Sequence, residues 1–326
     1  MDNRKTAPKA SIIIPVKNGG KLFERVLDAT LAQDVPWPFE VLVIDSGSCD
    51  GSCGYARSRD VHVLEIDPRD FGHGRTRNLG ASLTTGEFIV FLTHDALPTD
   101  TRWLKNLIDA CDMDPSTAGA FGRHIAYPEA SSVTRRELAA HFAGFGEKTT
   151  VFRMEDPARY AREEGYRQFL HFFSNNNSCL RRSVWERHPF PEVDFAEDQI
   201  WAKTVIEAGY GKAYAPDACV YHSHDFGVFE TARRSFDESR ALHRIFGYVL
   251  VPSVYRAVRT WAYLVHRNRA WIREEVPDST IRLMETLKSP AFALAKVAGL
   301  YLGGREASLP AWTVSRLSRD KALQSR

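Results

Sequence analysis

Acidic side chains follow two apolar runs of this sequence. His94 and Asp95 come directly after the run 88–93, and Asp45 comes directly after "VLVI". An ionised carboxylate is costly to bury unless something compensates its charge. Asp95 can ligate a divalent cation, whose charge would balance a diphosphate, and Asp45 can accept the N3–H of a uracil or thymine ring. The structural alternative for Asp95 is that it only caps the next turn.

Other polar residues also stand where they could do chemistry. They lie at the ends of apolar runs or at the start of a helical pattern: Pro15, Val16 and Lys17, the pair Glu197 and Asp198, and His222 with His224. In a strand, the His-x-His spacing places both imidazoles on the same face. Two acids in the first turn of a helix can also serve the helix dipole alone.

Apolar periodicity predicts the elements that position these residues. Short apolar runs predict strands and 3.6-residue spacing predicts helices between them, with strands at 11–16, 39–48, 61–66 and 87–93 and helices near 23–31, 75–84 and 104–111. Strands that alternate with helices at this pace indicate βαβ units. We therefore expect an α/β, Rossmann-like fold with a mostly parallel central sheet and helices on both faces. In such a sheet, ligands bind beyond the carboxyl ends of the strands.

The second half of the sequence is less regular. Residues 217–226 predict a strand that ends in two histidines, and beyond Glu230 the composition is helical, with Arg-bearing amphipathic stretches. We predict an α/β domain over residues 1–226 and a C-terminal helical extension over residues 227–326.

The composition excludes several classes of protein. The chain has 326 residues, of which 44% are apolar, so it can bury a sizeable core. A formal net charge of +2 argues against a dedicated nucleic-acid binder. Residues 251–326 nevertheless hold 13 Lys and Arg against 6 Asp and Glu, a balance of +7. This basic region predicts either contact with an anionic membrane surface or a solvated helical face.

The cysteines and the apolar segments indicate in which cellular compartment the protein is expected. The five cysteines are scattered, which favours reduced thiols in a cytoplasmic protein. The first residues, "MDNRKTAPKAS", have no apolar region of the kind that a signal peptide needs. No run is long enough for a transmembrane helix. We expect a cytoplasmic location, with peripheral contact at the inner face of the cytoplasmic membrane left open.

Ordered blocks of the sequence resemble those of a known family. "SIIIPVKNGG", "EVLVIDSGSCDGS", "GRTRNLGA" and "EFIVFLTHDALP" are similar to blocks of the inverting, nucleotide-sugar-dependent glycosyltransferases of family 2, which have the GT-A fold. The resemblance extends over residues 10–226. "FAEDQIWAK", "VYHSH" and "YLGGREASLPAWTVSRLS" are similar to a narrower group, the bacterial rhamnosyltransferases that build surface polysaccharides such as O-antigen of the cell envelope.

The resemblance implies roles for the first polar tips. It implies that Asp45 recognises the base and that a set of neighbours completes the nucleotide-sugar site: Pro15, Val16, Lys17, Arg75, Arg77, His94 and Asp95. Arginine suits a diphosphate through its charge and its forked geometry, and contact by only one of Arg75 and Arg77 is left open. Where the family usually has an Asp-x-Asp or Asp-Asp pair, this sequence has a single acid, Asp95. The resemblance therefore implies Mg²⁺ or Mn²⁺ bound by Asp95 and a histidine, His224 in preference to His222.

The resemblance also implies a base and an acceptor site. Asp198 matches the catalytic base, with Glu197 as the alternate. The segment "FFSNNNSCLRR" resembles the acceptor-side strand, in which Asn175, Asn177 and Arg181 would bind sugar hydroxyls or the diphosphate.

The function implied is an inverting transfer of L-rhamnose from dTDP-β-L-rhamnose to a glycan or lipid-linked glycan. One alternative is a related transferase that uses another dTDP- or UDP-hexose. A second is a non-catalytic glycan-binding protein on the same fold, which the missing first acid before Asp95 would favour. A sugar nucleotidyltransferase would need a Gly-rich, Arg-containing first loop, which "PVKNGGKLF" lacks.

Overall fold

The computed structural model describes residues 7–193 and 195–318, which form two compact units. The first unit contains the described residues up to Tyr127 together with Leu138–Ser223, and the second contains Pro128–Glu137 and the described residues from His224 onward. The domain limits expected from the sequence, 1–226 and 227–326, stay a prediction.

The first unit is built around one sheet, which has nine strands within the described residues. In chain order the strands are β1 Ala10–Val16, β2 Phe39–Asp45, β3 His62–Glu65, β4 Phe88–Leu92, β5 Leu97–Pro98, β6 Thr117–Ile125, β7 Thr150–Phe152, β8 Asn177–Arg181 and β9 Gly211–Tyr221. Their order across the sheet is β3-β2-β1-β4-β8-β6-β9-β5, and β7 pairs with β9. Strands β3, β2, β1 and β4 are mutually parallel, whereas β8 is antiparallel to both β4 and β6. Most paired residues belong to parallel pairs, so the predicted α/β fold with a mostly parallel sheet is confirmed.

Helices follow most strands of the first unit and make up most of the second. The first group is α1 Gly20–Leu31, α2 Ser52–Arg57, α3 His73–Ser82, α4 Trp103–Asp112, α6 Pro157–Arg162, α7 Glu164–His171, α8 Arg182–Trp185 and α9 Glu197–Glu207. Helix α5, Ser132–Ala143, contributes residues to both units. The second group is α10 Val228–Phe246, α11 Val254–Glu275, α12 Ser279–Gly303 and α13 Ala311–Leu317. The predicted C-terminal helical region is therefore present.

The central strands are buried on both faces of the sheet. Every residue of β1 and β4 is buried. Ile12 and Ile14 pack in the core that contains residues of α1 and α4, whereas Ile13 packs in the core that contains residues of α9. This two-sided burial is why these strands read as continuous apolar runs and not as alternating ones.

Helix α3 lies close against the sheet. A Cβ atom at Gly80 would lie 2.7 Å from Ile13 Cγ2 and 3.0 Å from Ile44 Cδ1, so a larger residue would push the helix away. The close approach fixes α3, and with it Arg75 and Arg77, against β1 and β2.

The second unit is a helical assembly. Gly299 and Gly303 of α12 face α10, where a Cβ at either position would collide with backbone oxygens. Helix α11 packs on α12 through Leu264, which clusters with Ala293 and Val297. Among the described residues, we find no helix with the length and apolar character needed to span a bilayer.

Candidate active site

The carboxyl ends of β1, β2 and β4 meet at one edge of the sheet. Val16 is in register with Asp45, so β1 and β2 end side by side. Strand β4 ends at Leu92 and leads into His94 and Asp95. The structure therefore brings the polar tips of these three strands together at the edge where ligands bind in parallel sheets.

Only one of the two carboxylate oxygens of Asp45 accepts hydrogen bonds from the described residues. Its Oδ1 accepts hydrogen bonds from the backbone N–H groups of Gly47 and Ser48, each at 2.8 Å. The residue is only 1% exposed, and its Oδ2 is buried with no hydrogen-bond partner among the described residues. A buried acceptor without a donor is costly. Asp45 is thus prepared to accept an N–H group from a ligand.

The loop after β1 is tied to the loop after β2. The backbone N–H of Asn18 donates to Ser48 Oγ at 2.8 Å. Lys17 is exposed at the tip of this loop. His94 borders the same loop, since its Cδ2 lies 3.1 Å from where a Cβ of Gly19 would stand. The loops after β1 and β2 therefore form one continuous surface with His94.

Asp95 gathers with two histidines beyond the end of β9. Its Oδ1 lies 3.6 Å from His222 Nε2. His224 is attached directly to Ser223, and one ligand atom from each of Asp95, His222 and His224 lies within 4.8 Å of the others. The spacing had predicted that both histidines lie on one face of a strand. Because β9 ends at Tyr221, they belong instead to the segment that follows the strand.

Two neighbours hold this cluster in place. The Tyr127 hydroxyl donates to the backbone oxygen of Asp95 at 3.1 Å. The His124 ring packs edge-on against His222, with 5.2 Å between ring centroids. Burial lowers the pKa of His124 well below its usual value, so this ring is neutral and adds no charge beside His222. Sequence reasoning missed both residues. The available signal was a histidine near the end of a mostly apolar strand and a tyrosine just after it.

The donor set fits a divalent cation. Ligand atoms that share an ion at about 2.1 Å lie roughly 3–4 Å apart, and these three lie within 4.8 Å of one another. Imidazole nitrogen together with carboxylate oxygen suits Mn²⁺ better than Mg²⁺, which prefers oxygen ligands. Asp95, His222 and His224 are therefore able to hold such an ion.

Asp198 lies in the first turn of α9, and backbone groups hold its carboxylate. The N–H of Asn175 donates to Oδ2 at 3.2 Å, and the N–H of Gln199 donates to Oδ1 at 2.8 Å. Burial, followed by the charge of Glu197, raises the pKa of Asp198 to about 7. A carboxyl group with a pKa near neutrality is well matched to general base catalysis.

The segment before β8 connects Asp198 to the edge that carries Asp95. Asn175 donates to Asp198, and the carbonyl of the next residue, Asn176, accepts from the Thr93 N–H at 3.3 Å. Thr93 lies two residues before Asp95 in the chain. A proton acceptor and a candidate metal ligand therefore stand at the same edge of the sheet.

Arg77 is placed differently from the exposed arginine beside it. Its Nη1 lies 3.0 Å from Glu197 Oε1, and the two side chains are 5% and 7% exposed. Asn175 Nδ2 donates to the same oxygen at 3.2 Å. Arg75, two residues earlier, is exposed, and its Nη2 donates to the backbone oxygen of Arg69 at 3.2 Å. Of the two arginines expected at the diphosphate, only Arg75 presents its side chain to solvent.

Two of the residues expected at the acceptor are used elsewhere. Asn177 is fully buried, where its amide accepts from Trp103 Nε1 and donates to the Ala218 oxygen, each at 2.8 Å. Arg181 is in register with Phe88, the first residue of β4, so it lies at the edge opposite to the site. The expectation is corrected for Asn177 and Arg181, because one is held inside the core and the other lies at the wrong end of its strand.

Known proteins with similar sequences are glycosyltransferases. The family described as Glycosyl transferase family 2 matches residues 11–188. The O-antigen chain rhamnosyltransferase RfbN of Salmonella typhimurium is 37% identical over 235 residues, which are 70% of this chain and 71% of that protein. The O-antigen chain rhamnosyltransferase WbaN of Salmonella anatum is 31% identical over 235 residues, 71% of each chain.

Solved structures share the fold at low sequence identity. The crystal structure of Staphylococcus aureus TarS residues 1–349 in complex with UDP-GlcNAc has a TM-score of 0.52 and 16% identity, covering 92% of this chain and 91% of that one. The mannosyl-3-phosphoglycerate synthase from Rubrobacter xylanophilus has a TM-score of 0.51 and 17% identity, covering 73% of each chain. These matches confirm the predicted GT-A fold. Because the family match covers more than half of the chain and RfbN is 37% identical over 71% of its own length, this chain belongs to glycosyl transferase family 2 and is a glycosyltransferase.

Proposed function

We propose that this glycosyltransferase moves L-rhamnose from dTDP-β-L-rhamnose to a glycan or lipid-linked glycan, with inversion at the anomeric carbon. The names of the two Salmonella relatives support the sugar and the type of product. The observation that carries the chemistry is Asp198, a partly buried carboxyl group whose pKa is raised to about 7 at the edge of the sheet that also carries Asp45 and Asp95.

Asp198 acts as the general base. The acceptor hydroxyl gives its proton to the Asp198 carboxylate while its oxygen forms a bond to the anomeric carbon. The bond from that carbon to the diphosphate breaks in the same step, and dTDP leaves with the bonding electrons. A single displacement converts the β-linked donor into an α-linked product. Glu197 is the weaker candidate, because its carboxylate is already paired with Arg77 and Asn175.

Asp45 selects the nucleotide. Its unpaired Oδ2 accepts the N3–H of thymine. Pro15 and Val16, at the end of β1, are buried where the adjoining loop begins. Lys17 and Arg75 are the exposed cations that meet the diphosphate. Uracil presents the same N3–H between two carbonyl groups, so a transferase that uses a UDP-hexose is the second candidate.

Asp95, His222 and His224 would hold Mg²⁺ or Mn²⁺. When bound there, the ion supplies positive charge against the departing diphosphate. The two imidazoles offer the donor atoms that the family's second acid would otherwise provide. Tyr127 and His124 keep Asp95 and His222 in position.

The C-terminal helices are proposed to contact the inner face of the cytoplasmic membrane peripherally. Several large apolar side chains of α11 and α12 are more than half exposed: Val254, Tyr255, Val258 and Tyr263 on α11, and Leu283, Leu287 and Leu294 on α12. The region from residue 251 onward carries a balance of +7. Apolar groups flanked by cations favour an anionic lipid surface, where a lipid-linked acceptor would be found.

Binding and product analysis test this function. Calorimetry with dTDP, UDP and GDP, each with Mn²⁺, should give measurable affinity for dTDP and none for GDP. NMR of the product made from dTDP-β-L-rhamnose and a membrane extract of lipid-linked glycan should show an α-rhamnosyl linkage. Tighter binding of GDP than of dTDP would refute the nucleotide assignment, and a β-linked product would refute the single displacement.

A further inference from the structure

Arg77 is committed to a carboxylate in the interior of the first unit. Both members of the Arg77–Glu197 pair are more than nine-tenths buried. Arg77 Nη1 also donates to the backbone oxygen of His73 at 3.2 Å. A buried ion pair is stable as a pair, since removing one partner leaves the other charge desolvated and uncompensated. The buried Glu197 carboxylate therefore needs the positive charge of Arg77 beside it.

The ion pair reaches Asp198 through one residue. Glu197 Oε1 accepts from Arg77 and from Asn175 Nδ2. The backbone N–H of Asn175 donates to Asp198 Oδ2, and its side-chain oxygen accepts from Ser178 Oγ at 3.0 Å. Asn175 thus touches both carboxylates, and its position depends on where Glu197 is held.

We propose that Arg77 is a positioning residue for glycosyl transfer, acting on Asp198 through Glu197 and Asn175, and that it is not a ligand of the donor diphosphate. This inference rests on the proposed role of Asp198 as the base. Arg77 neutralises Glu197, which adjoins Asp198 in the chain, and it keeps Asn175 aligned with the Asp198 carboxylate. It touches neither substrate.

The groups around Asp198 give the direction of the effect. After burial, the charge of Glu197 raises the pKa of Asp198, whereas the Asn175 N–H, the Arg77 charge and the Gln199 N–H lower it. Removing Arg77 alone leaves the Glu197 charge uncompensated, so the pKa of Asp198 rises further and less of the base is ionised at pH 7. Replacing Glu197 by glutamine as well removes the unpaired charge.

The test compares Arg77→Met, Glu197→Gln and the double variant, with Arg75→Met as the matched exposed arginine of the same helix. We expect Arg77→Met to lower kcat by about 10²-fold, to move the acidic limb of the pH profile to higher pH and to leave dTDP affinity within about twofold. The double variant should recover at least about tenfold in kcat over Arg77→Met. Arg75→Met should instead weaken dTDP binding.

The three measured quantities, kcat, the pH profile and dTDP affinity, separate the possible outcomes. A large loss of dTDP affinity in Arg77→Met, with no recovery in the double variant, would make Arg77 a diphosphate ligand and overturn the proposal. If Arg77→Met is too unstable to purify, Arg77→Lys keeps the charge and should retain the wild-type pH profile, and a shifted profile with weaker dTDP binding would again overturn it. The dissociation constants for dTDP and the unfolding midpoints of the variants are measured without catalytic turnover. A failure of the proposed role of Asp198 therefore shows separately, as retained activity in Asp198→Asn.

Discussion

The carboxyl group of Asp198 should make the protein less stable as the pH rises, and Asp198→Asn should remove that effect. The pKa of Asp198 is raised from 3.8 to about 7, so the native state holds this proton more tightly than the unfolded chain does. The stability that it contributes is fully present below pH 3.8 and is lost as the pH rises through 7. At about 1.4 kcal/mol for each pKa unit, the loss amounts to about 4 kcal/mol. Asparagine does not ionise, and its side-chain oxygen can still accept from Asn175 or Gln199.

Urea unfolding at several pH values measures this difference. We expect the free energy of unfolding of Asp198→Asn to exceed that of the wild type by about 4 kcal/mol at pH 8, with about 3 kcal/mol of the gap arising between pH 5 and pH 8. Asp109→Asn, which changes an exposed carboxylate on α4, should follow the wild type to within about 0.5 kcal/mol. A gap that does not change between pH 5 and pH 8 would refute the raised pKa of Asp198 and weaken its assignment as the base.

Three further predictions concern the metal, the nucleotide and the membrane. EDTA should suppress transfer, and Asp95→Ala should resist rescue by Mn²⁺; full activity after exhaustive dialysis against EDTA would remove the ion from the reaction. Asp45→Asn should weaken dTDP binding by about tenfold or more, because an amide N–H would face the N3–H of the base, and unchanged calorimetric affinity would contradict the assignment. The protein should sediment with anionic vesicles at low salt and be released as salt rises, and Leu283→Ser/Leu287→Ser should reduce sedimentation; recovery of the wild type in the supernatant at low salt would exclude this contact.

The edge of the sheet that carries Asp45 and Asp95 could be predicted from the sequence. Continuous apolar runs identify strands that are buried on both faces, and parallel strands all end at one edge. The polar residues that follow β2 and β4 therefore had to lie together. The paired acids before "QIWAK" likewise predicted the start of α9 at Glu197.

The direction of β8 could not be predicted in the same way. A strand has the same residue pattern whichever way it runs, but β8 is antiparallel to β4. Residues before β8, such as Asn175, therefore lie at the site, whereas Arg181 at its other end lies at the far edge. The resemblance of the whole segment to an acceptor-side strand had grouped Asn175, Asn177 and Arg181 together.

The partner of Arg77 was also hidden from sequence reasoning. Glu197 lies 120 positions further along the chain, and an arginine in the block "GRTRNLGA" suits a diphosphate as well as it suits a buried carboxylate. Only the packing of α3, fixed by Gly80 against Ile13, decides that Arg77 points into the interior.

The most direct test of the account is the rate of rhamnose transfer by Asp198→Asn with saturating dTDP-β-L-rhamnose and lipid-linked glycan, measured together with donor affinity. If Asp198 is the base, the rate falls by ~10²–10⁴-fold while the dissociation constant for dTDP stays within about twofold of wild type. A purified variant that turns over within about tenfold of the wild-type rate would contradict the central claim and direct attention to Glu197.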